Sequence, residues 1–470
     1  MPLTGGVVTA GSDFLQLDPT GVPRGGLAGW LTEALRDAVA GGSLGVGARL
    51  PASRTLATDL GVSRGVVVEA YRRLADEGLL TSGGARGTVV ATVPRRAPAD
   101  ATATPAPPEL DLSPGLPDLS AFPRAAWLRA EREVLDTTSA GDLAYPDPRG
   151  HPVLRRRLAD WLRRTRGVHA AADDVLVVGG VAQGLALLGR VLARRGRLDL
   201  AVEDPGSRGA REQLAFWGLR PVGVPVDGDG MDIDALRRTG ATTALLTPAH
   251  QFPTGVVLAP ARRRALLEWA AEGGLVVEDD YDAEFRYDRP PVRALQGLAP
   301  DRVAHAGSVS KTLAPGLRLG WLIAPPELRE DLARERYMAD LGGPSLPQLV
   351  FARLLESGAL ERHLRRVRVR QRARRDAMLA ALAEHLPAAE VHGVAAGLHL
   401  MVTVDGDDVA LAAAAAADGV LVQSLSQHRI APGLPGLVLG YAAQSPDRIR
   451  RAVALLARAA RLLAPHVNVR

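Results

Sequence analysis

Between residues 175 and 306, short apolar runs alternate with segments of helical period, and this limits the fold more than any other feature of the chain. Val175–Val178, Asp199–Val202, Ala244–Thr247, Gly274–Glu278 and Val303–Ala306 read as strands. Gln183–Arg194, Arg208–Trp217 and Ala261–Ala271 read as helices between them. Strand and helix in alternation over this length predict a mostly parallel α/β sheet. Ligands of such sheets bind at the carboxyl ends of the strands. The chemically loaded residues fall there: Gly179-Gly180, Glu203-Asp204-Pro205, Thr247-Pro248, Asp279-Asp280-Tyr281 and Ser308–Lys311.

Lys311 is the only lysine in 470 residues; the other 56 basic side chains are arginine. Arginine replaces lysine wherever charge alone is wanted, but its guanidinium stays protonated and forms no Schiff base. A buried primary amine loses its proton by desolvation and attacks a carbonyl carbon. Around it, Ser308 and Ser310 supply hydroxyls and Arg318 a fork suited to phosphate. Amine, hydroxyls and guanidinium in one loop suit a phosphorylated aldehyde, which describes pyridoxal 5'-phosphate.

The length predicts two or three domains. Zero cysteines exclude disulfides, thiolate metal sites and a cysteine nucleophile, and no metal site is expected. The N-terminus does not read as a signal peptide and no run is apolar enough for a membrane span, so a cytoplasmic protein is expected. The alanine tract Leu411–Ala417 reads as a packed helix. The net charge of +5 permits a nucleic-acid partner without demanding one. Residues 91–110, rich in proline and alanine, read as a linker between a domain at 1–90 and one at 111–470.

In the first domain an apolar period runs through Trp30, Leu31, Ala34, Leu35 and Val39. Ser53 is expected to cap a short helix through Leu60, and Ser63 a second one, running to Gly78, that buries Val67, Ala70, Tyr71 and Leu74. Two short helices across Gly61, followed by apolar runs about Gly83-Gly84, look like a helix-turn-helix with a two-stranded wing. Leu50–Ala57, Gly61-Val62-Ser63-Arg64, Ala70–Leu74 and Glu77-Gly78 resemble the winged helix of the GntR family. That resemblance implies that Arg54 holds DNA phosphate, that Arg64 beside Ser63 reaches base edges, and that Arg86 or Thr88 touches the minor groove or backbone. Val66 stands where the family usually has threonine. The domain carries eight arginines against eight acids, so DNA affinity must come from local placement and from two copies.

The resemblance then extends over nearly the whole chain. Thr247–Gly255, Glu278–Tyr287 and the Lys311 loop, behind a GntR-like head, resemble the MocR type of GntR regulator, which joins a winged helix to a fold type I aminotransferase-like domain. It implies a large parallel-rich domain, a small α+β domain, and a homodimeric regulator of double-stranded DNA. It also implies pyridoxal phosphate held as an internal aldimine, with a small amine or amino-acid effector, or the cofactor itself, sensed there. Asp279, with Asp280 as the spare, would keep the pyridine nitrogen protonated, and Tyr281 would bond the ring's phenolic oxygen. Ser308, Ser310, Arg318 and the backbone at Gly180, Val181 and Ala182 would hold the phosphate. Tyr145 matches a tyrosine that aminotransferase-like dimers lend to the partner's phosphate.

Three departures bear on that pocket. Val181 and Ala182 stand where a hydroxyl is usual, Ser207 stands where an aromatic stacks on the cofactor, and Phe252 stands where aminotransferases have asparagine. An effector carboxylate would need a further arginine; Arg429 is the candidate, with Ser207 beside the effector. His399 reads as a packed histidine, and the eight arginines of Arg362–Arg375 as the solvated face of a long helix, with a second DNA surface as the alternative. Two other functions compete: an active aminotransferase with a vestigial head, and a GntR-type repressor whose large domain only dimerises.

Overall fold

The computed structural model describes residues 14–82, 87–92, 109–393 and 395–463. The chain divides into two compact units, Met1–Ala106 and Pro107–Arg470.

In the first unit, α1 (Leu27–Ala40), α2 (Ser53–Asp59) and α3 (Arg64–Asp76) enclose one apolar cluster. The face of α3 that turns inward is Val67, Ala70, Tyr71 and Leu74, as its period predicts. Tyr71 also donates its hydroxyl to the Pro51 carbonyl at 2.9 Å, tying α3 to the start of α2. The expected caps differ in detail. Ala52, not Ser53, is the N-cap of α2; Ser63 is the N-cap of α3, but its side chain makes no capping bond. The strands β1 (Leu80–Ser82) and β2 (Thr88–Val90) pair antiparallel as a wing. Arg86 and the Gly83-Gly84 turn lie outside the described residues.

The second unit is built on an eight-stranded sheet. Its strands are β3 (Val175–Val178), β4 (Asp199–Asp204), β5 (Arg220–Asp227), β6 (Gly230–Met231), β7 (Thr243–Leu246), β8 (Leu275–Asp280), β9 (Val303–Ser308) and β10 (Gly320–Ile323). Their order is β3-β10-β9-β8-β7-β4-β5-β6. β10 runs antiparallel to both its neighbours and β6 antiparallel to β5; the other pairs are parallel. The helices α4 (Pro152–Arg166), α5 (Val181–Arg194), α6 (Arg208–Phe216) and α7 (Pro260–Ala271) contribute to the clusters that cover the sheet. Three of its strands escaped the sequence reading, the two-residue β6 among them. β5 carries Pro221 and Pro225, residues that argue against a strand and are tolerated toward a sheet edge. β10 follows the Lys311 loop directly and returns through a hairpin, without the crossover helix that marks the others.

A smaller antiparallel sheet, order β11-β12-β14-β13, comprises β11 (Val391–His392), β12 (His399–Thr403), β13 (Gln423–Ser424) and β14 (Gly436–Gly440). It packs against the end of α8 (Ala359–His385) and α9 (Pro446–Leu463). The alanine tract is a helix, Asp408–Ala417, with Leu411 and Ala415 buried. Leu110, the last residue of the expected linker, belongs instead to this unit: Leu110–Asp111 pairs in parallel with Val420–Leu421. No described helix is long and apolar enough to cross a membrane.

The arginine-rich stretch of α8 is only partly a solvated face. Arg368 donates to the Glu284 carbonyl, Arg372 to that of Tyr287, and Arg374 to that of Ala442, while Arg370 and Arg374 both pair with buried Asp118. Four of the eight therefore fasten the helix to its neighbours, three of them through backbone carbonyls. A guanidinium has several donors on a long apolar stem, so it can satisfy buried carbonyls while covering apolar surface.

Candidate functional site

A cavity of ≈ 400 Å³ opens at the carboxyl ends of β3, β7, β8 and β9. Gly180, Val181, Ala182, Ser207, Asp279, Tyr281, Ser308, Ser310, Lys311 and Arg318 all line it. Thr247, Phe252, Leu398 and His399 complete its walls, with Pro114 and Gly115 over Lys311. Arg429 is elsewhere, and Tyr145, expected at a partner's phosphate, does not line the cavity of its own chain. Tyr145 is 87% exposed. Arg429 is also outside the lining: its Nη2 donates to the Leu434 carbonyl at 3.3 Å, and the following amides, Ile430 and Ala431, bond Asp204 at the end of β4. That fastening turns the guanidinium onto its own loop.

One end of the cavity suits a phosphate. Gly180 caps α5 with φ +94°, and the first N–H groups of a helix have no intrahelical acceptor. Arg318 has φ 49° and ψ 48°, a left-handed conformation that costs a non-glycine residue about 1 kcal/mol or more. This strained turn brings its guanidinium against Gly180, where an added Cβ would lie 3.2 Å from Nη2. Ser308 and Ser310 also line the cavity, the Ser308 hydroxyl accepting the Ser310 amide at 3.3 Å.

The other end holds Asp279. Strand alternation separates it from Asp280: Glu278 and Asp280 project to one face, Asp279 to the other. On the first face Arg166 holds Asp280 with two bonds, 2.6 Å and 3.0 Å, beside His305 and Glu278. On the second face Asp279 lines the cavity, and its buried Oδ1 has no hydrogen-bond partner. Burial, and then the charge of Asp280, push its pKa up to about 7. The spare aspartate is thus engaged elsewhere. An unpartnered buried carboxylate oxygen, a helix N-terminus with a facing guanidinium, and an amine in one cavity fit the pyridine nitrogen, phosphate and aldehyde of pyridoxal phosphate.

Burial lowers the pKa of Lys311, against the opposing charges of Asp282 and Asp279, and its Nζ donates to the Gly115 carbonyl. Ser207 lines the cavity while its Oγ accepts the Ala210 amide at 3.3 Å, capping α6. His399 is buried as expected, yet it also reaches the cavity; burial holds its pKa well below the usual value and its Nε2 donates to the Pro253 carbonyl at 3.2 Å.

The profile described as "Bacterial regulatory proteins, gntR family" matches residues 28–90, and "Aminotransferase class I and II" matches residues 108–459. The "HTH-type pyridoxine biosynthesis transcriptional regulator PdxR" of Corynebacterium glutamicum is 35% identical over 92% of this chain and 94% of its own. The chain belongs to the MocR type of GntR-family regulators. The "Probable rhizopine catabolism regulatory protein MocR" of Rhizobium meliloti is similarly related, 33% identical over 90% of this chain and 91% of its own. Among solved structures, an archaeal alanine:glyoxylate aminotransferase superposes with a TM-score of 0.70 at 28% identity, covering 75% of this chain and 91% of its own. The GntR domain makes this MocR-type chain a DNA-binding protein, and its larger unit has the fold type I aminotransferase architecture.

Sequence reasoning missed three polar groups around this cavity. Glu203, buried at the end of β4, accepts the Thr247 amide at 3.0 Å and its hydroxyl at 2.8 Å, and burial pushes its pKa up to about 7. His250 and Asp282 lie behind Tyr281. All three are inside motifs already singled out, but only their convergence distinguishes them from neighbouring polar residues. Side-chain ligand atoms of His250, Asp282 and His399 approach within 4.8 Å of one another, and His250 and His399 each already use a ring nitrogen in a hydrogen bond.

Proposed function

We propose that this regulator holds pyridoxal 5'-phosphate at Lys311 and responds to a small amine or amino acid, or to the cofactor itself, by exchange at that nitrogen. Two copies pair, and the exchange alters how their winged helices engage two DNA half-sites. The observation that carries this reading is the partnerless Asp279 Oδ1 in the same cavity as the chain's only lysine. The cofactor supplies an aldehyde and an electron-drawing ring; the chain does the rest. Desolvation lowers the proton affinity of Lys311, which favours attack, Asp279 offers an acceptor to the ring nitrogen, and Arg318 with the start of α5 neutralises phosphate charge. Tyr145, exposed in its own chain, is available to a second copy. An effector can shift DNA binding only through different affinities for two arrangements of the protein.

A visible absorption spectrum after adding pyridoxal phosphate tests the covalent site. Wild type is expected to show a band that Lys311→Ala lacks, since no other amine side chain can replace it. A colourless wild type would remove the cofactor reading and favour a domain that only dimerises. Turnover of an amino acid with a 2-oxo acid acceptor would favour an aminotransferase.

The head yields a separate prediction. Arg64, exposed at the start of α3, reads bases, whereas Arg54, exposed on α2, holds phosphate. On duplexes that the wild-type protein enriches from a random pool, Arg64→Ala is expected to cost about 1–3 kcal/mol and relax preference at one position. Arg54→Ala should weaken all duplexes alike and flatten the salt dependence. Equal effects on every sequence from both variants would refute the base-reading role.

A further inference from the structure

His250 lies behind the cavity wall, 3% exposed, with its Nδ1 2.9 Å from Asp282 Oδ2 and 3.1 Å from Tyr281 Oη. Asp282 is buried as well, at 1%. A bare Nδ1 would set its lone pair against those of the carboxylate. Imidazole is a stronger base than carboxylate, so the shared hydrogen lies on Nδ1. Tyr281 Oη faces that same N–H and accepts from it. Its own hydrogen cannot then point at His250; apart from Asp282, which already accepts the His250 N–H, the acceptor open to it is a ligand in the cavity, which Tyr281 lines.

The ring cannot easily move to another arrangement. A Cβ on Gly397, which has φ +71°, would come within 1.9 Å of His250 Cε1 and 2.7 Å of Asp282 Oδ2, so the chain leaves no side chain there. The His399 ring, 5.0 Å away, packs on the histidine but donates elsewhere, to Pro253. The titratable groups acting here are Asp282, Asp279 and Glu203 on Tyr281, Lys311 opposite Asp282 and Asp279, and His250, His428 and Lys311 on His399.

We propose that the Asp282–His250 pair is a positioning device, which fixes the Nδ1–H tautomer of His250 and so directs the Tyr281 hydroxyl hydrogen at the ring oxygen of bound pyridoxal phosphate. This rests on the cofactor reading above. Donation to the ring oxygen draws off negative charge that would otherwise hold a proton on the neighbouring Lys311 nitrogen. The pair therefore keeps that nitrogen easier to deprotonate, without touching the cofactor.

Asp282→Asn in the full-length, cofactor-loaded protein tests the device. An asparagine amide donates to Nδ1, shifts the ring hydrogen to Nε2, and lets Tyr281 donate to His250 instead of into the cavity. The pH midpoint of the visible band should move up by about one unit, as in Tyr281→Phe, and the double variant should move no further. Loss of the Asp282 charge alone acts the other way, because that charge raises the proton affinity of Lys311. A downward or absent shift overturns the proposal. Nitrogen-15 NMR of the histidine rings in the cofactor-free wild type, with His250→Gln identifying the signal, gives an independent readout. A hydrogen on Nδ1 supports the device; a bare Nδ1 overturns it, whether or not the protein takes up cofactor. A colourless wild type with Nδ1–H would instead overturn the cofactor reading and leave the hydrogen-bond direction upheld.

Discussion

Replacing Arg166 with methionine is expected to destabilise the large unit by about 3–5 kcal/mol, the largest stability loss we predict for one side chain. Arg166 is 1% exposed and ends α4 with its guanidinium on Asp280 and on the Val292 carbonyl. Its removal leaves Asp280 buried beside Glu278 and Glu284 without the neutralising charge. Burial, and then the charge of Asp280, already push Glu284 up to about 7, and Arg166 acts to lower it. A carboxyl raised above its unfolded value favours the fold fully only below that unfolded value, and the benefit is lost as pH rises through the folded pKa. Without Arg166 those values rise further. The deficit should therefore be largest near pH 8 and shrink toward pH 5. Calorimetric melting of wild type and variant across that range checks the sign. A double variant, Arg166→Met with Asp280→Asn, should recover part of the loss, since both halves of the pair are then neutral. A deficit that grows on acidification would refute this account.

Asp279→Asn is expected to stabilise the cofactor-free protein while weakening its hold on pyridoxal phosphate. Asp279 is buried with one oxygen unpartnered, and its pKa rises from 3.8 to about 7. The penalty for ionising it is absent below pH 3.8, grows between the two values, and is complete above about 7. Removing the charge should add on the order of 2–4 kcal/mol at pH 8 and almost nothing near pH 4. The same change removes the charged acceptor for a pyridine N–H, a loss of about 1.5–3 kcal/mol or roughly 10- to 100-fold in affinity. Melting of the free protein and spectroscopic titration with cofactor measure the two effects separately. Tighter cofactor binding by the variant, or a less stable free protein at pH 8, would show that Asp279 serves another purpose. The opposed signs are what a binding residue held in an unfavourable setting predicts.

Arg429 and Tyr145 lie outside the cavity for different reasons. Arg429 is close in sequence to the small-domain strand β14, but hydrogen bonds from Ile430 and Ala431 to Asp204 direct its loop. Nothing in the Arg429 segment alone announces a partner more than two hundred residues away. Tyr145 is exposed, and its proposed use depends on a second copy.

The sequence by itself determined the class of fold and the chemistry gathered at the strand ends. Alternating periods require parallel strands with crossovers, and parallel strands deliver their following loops to one edge, so Gly180, Asp279, Ser308 and Lys311 had to converge. The lone lysine among arginines marked the amine without any structure. Only tertiary structure decided which of two adjacent aspartates meets the cavity, because that depends on which face of β8 the guanidinium of Arg166 covers. It also decided that β10 returns antiparallel, that half of the arginine run fastens α8 to its neighbours, and that His250 and Asp282 stand behind Tyr281. Local patterns reflect the period of a segment's own backbone. The direction and partner of each polar side chain are set by groups distant in sequence, brought within about 3 Å only by folding.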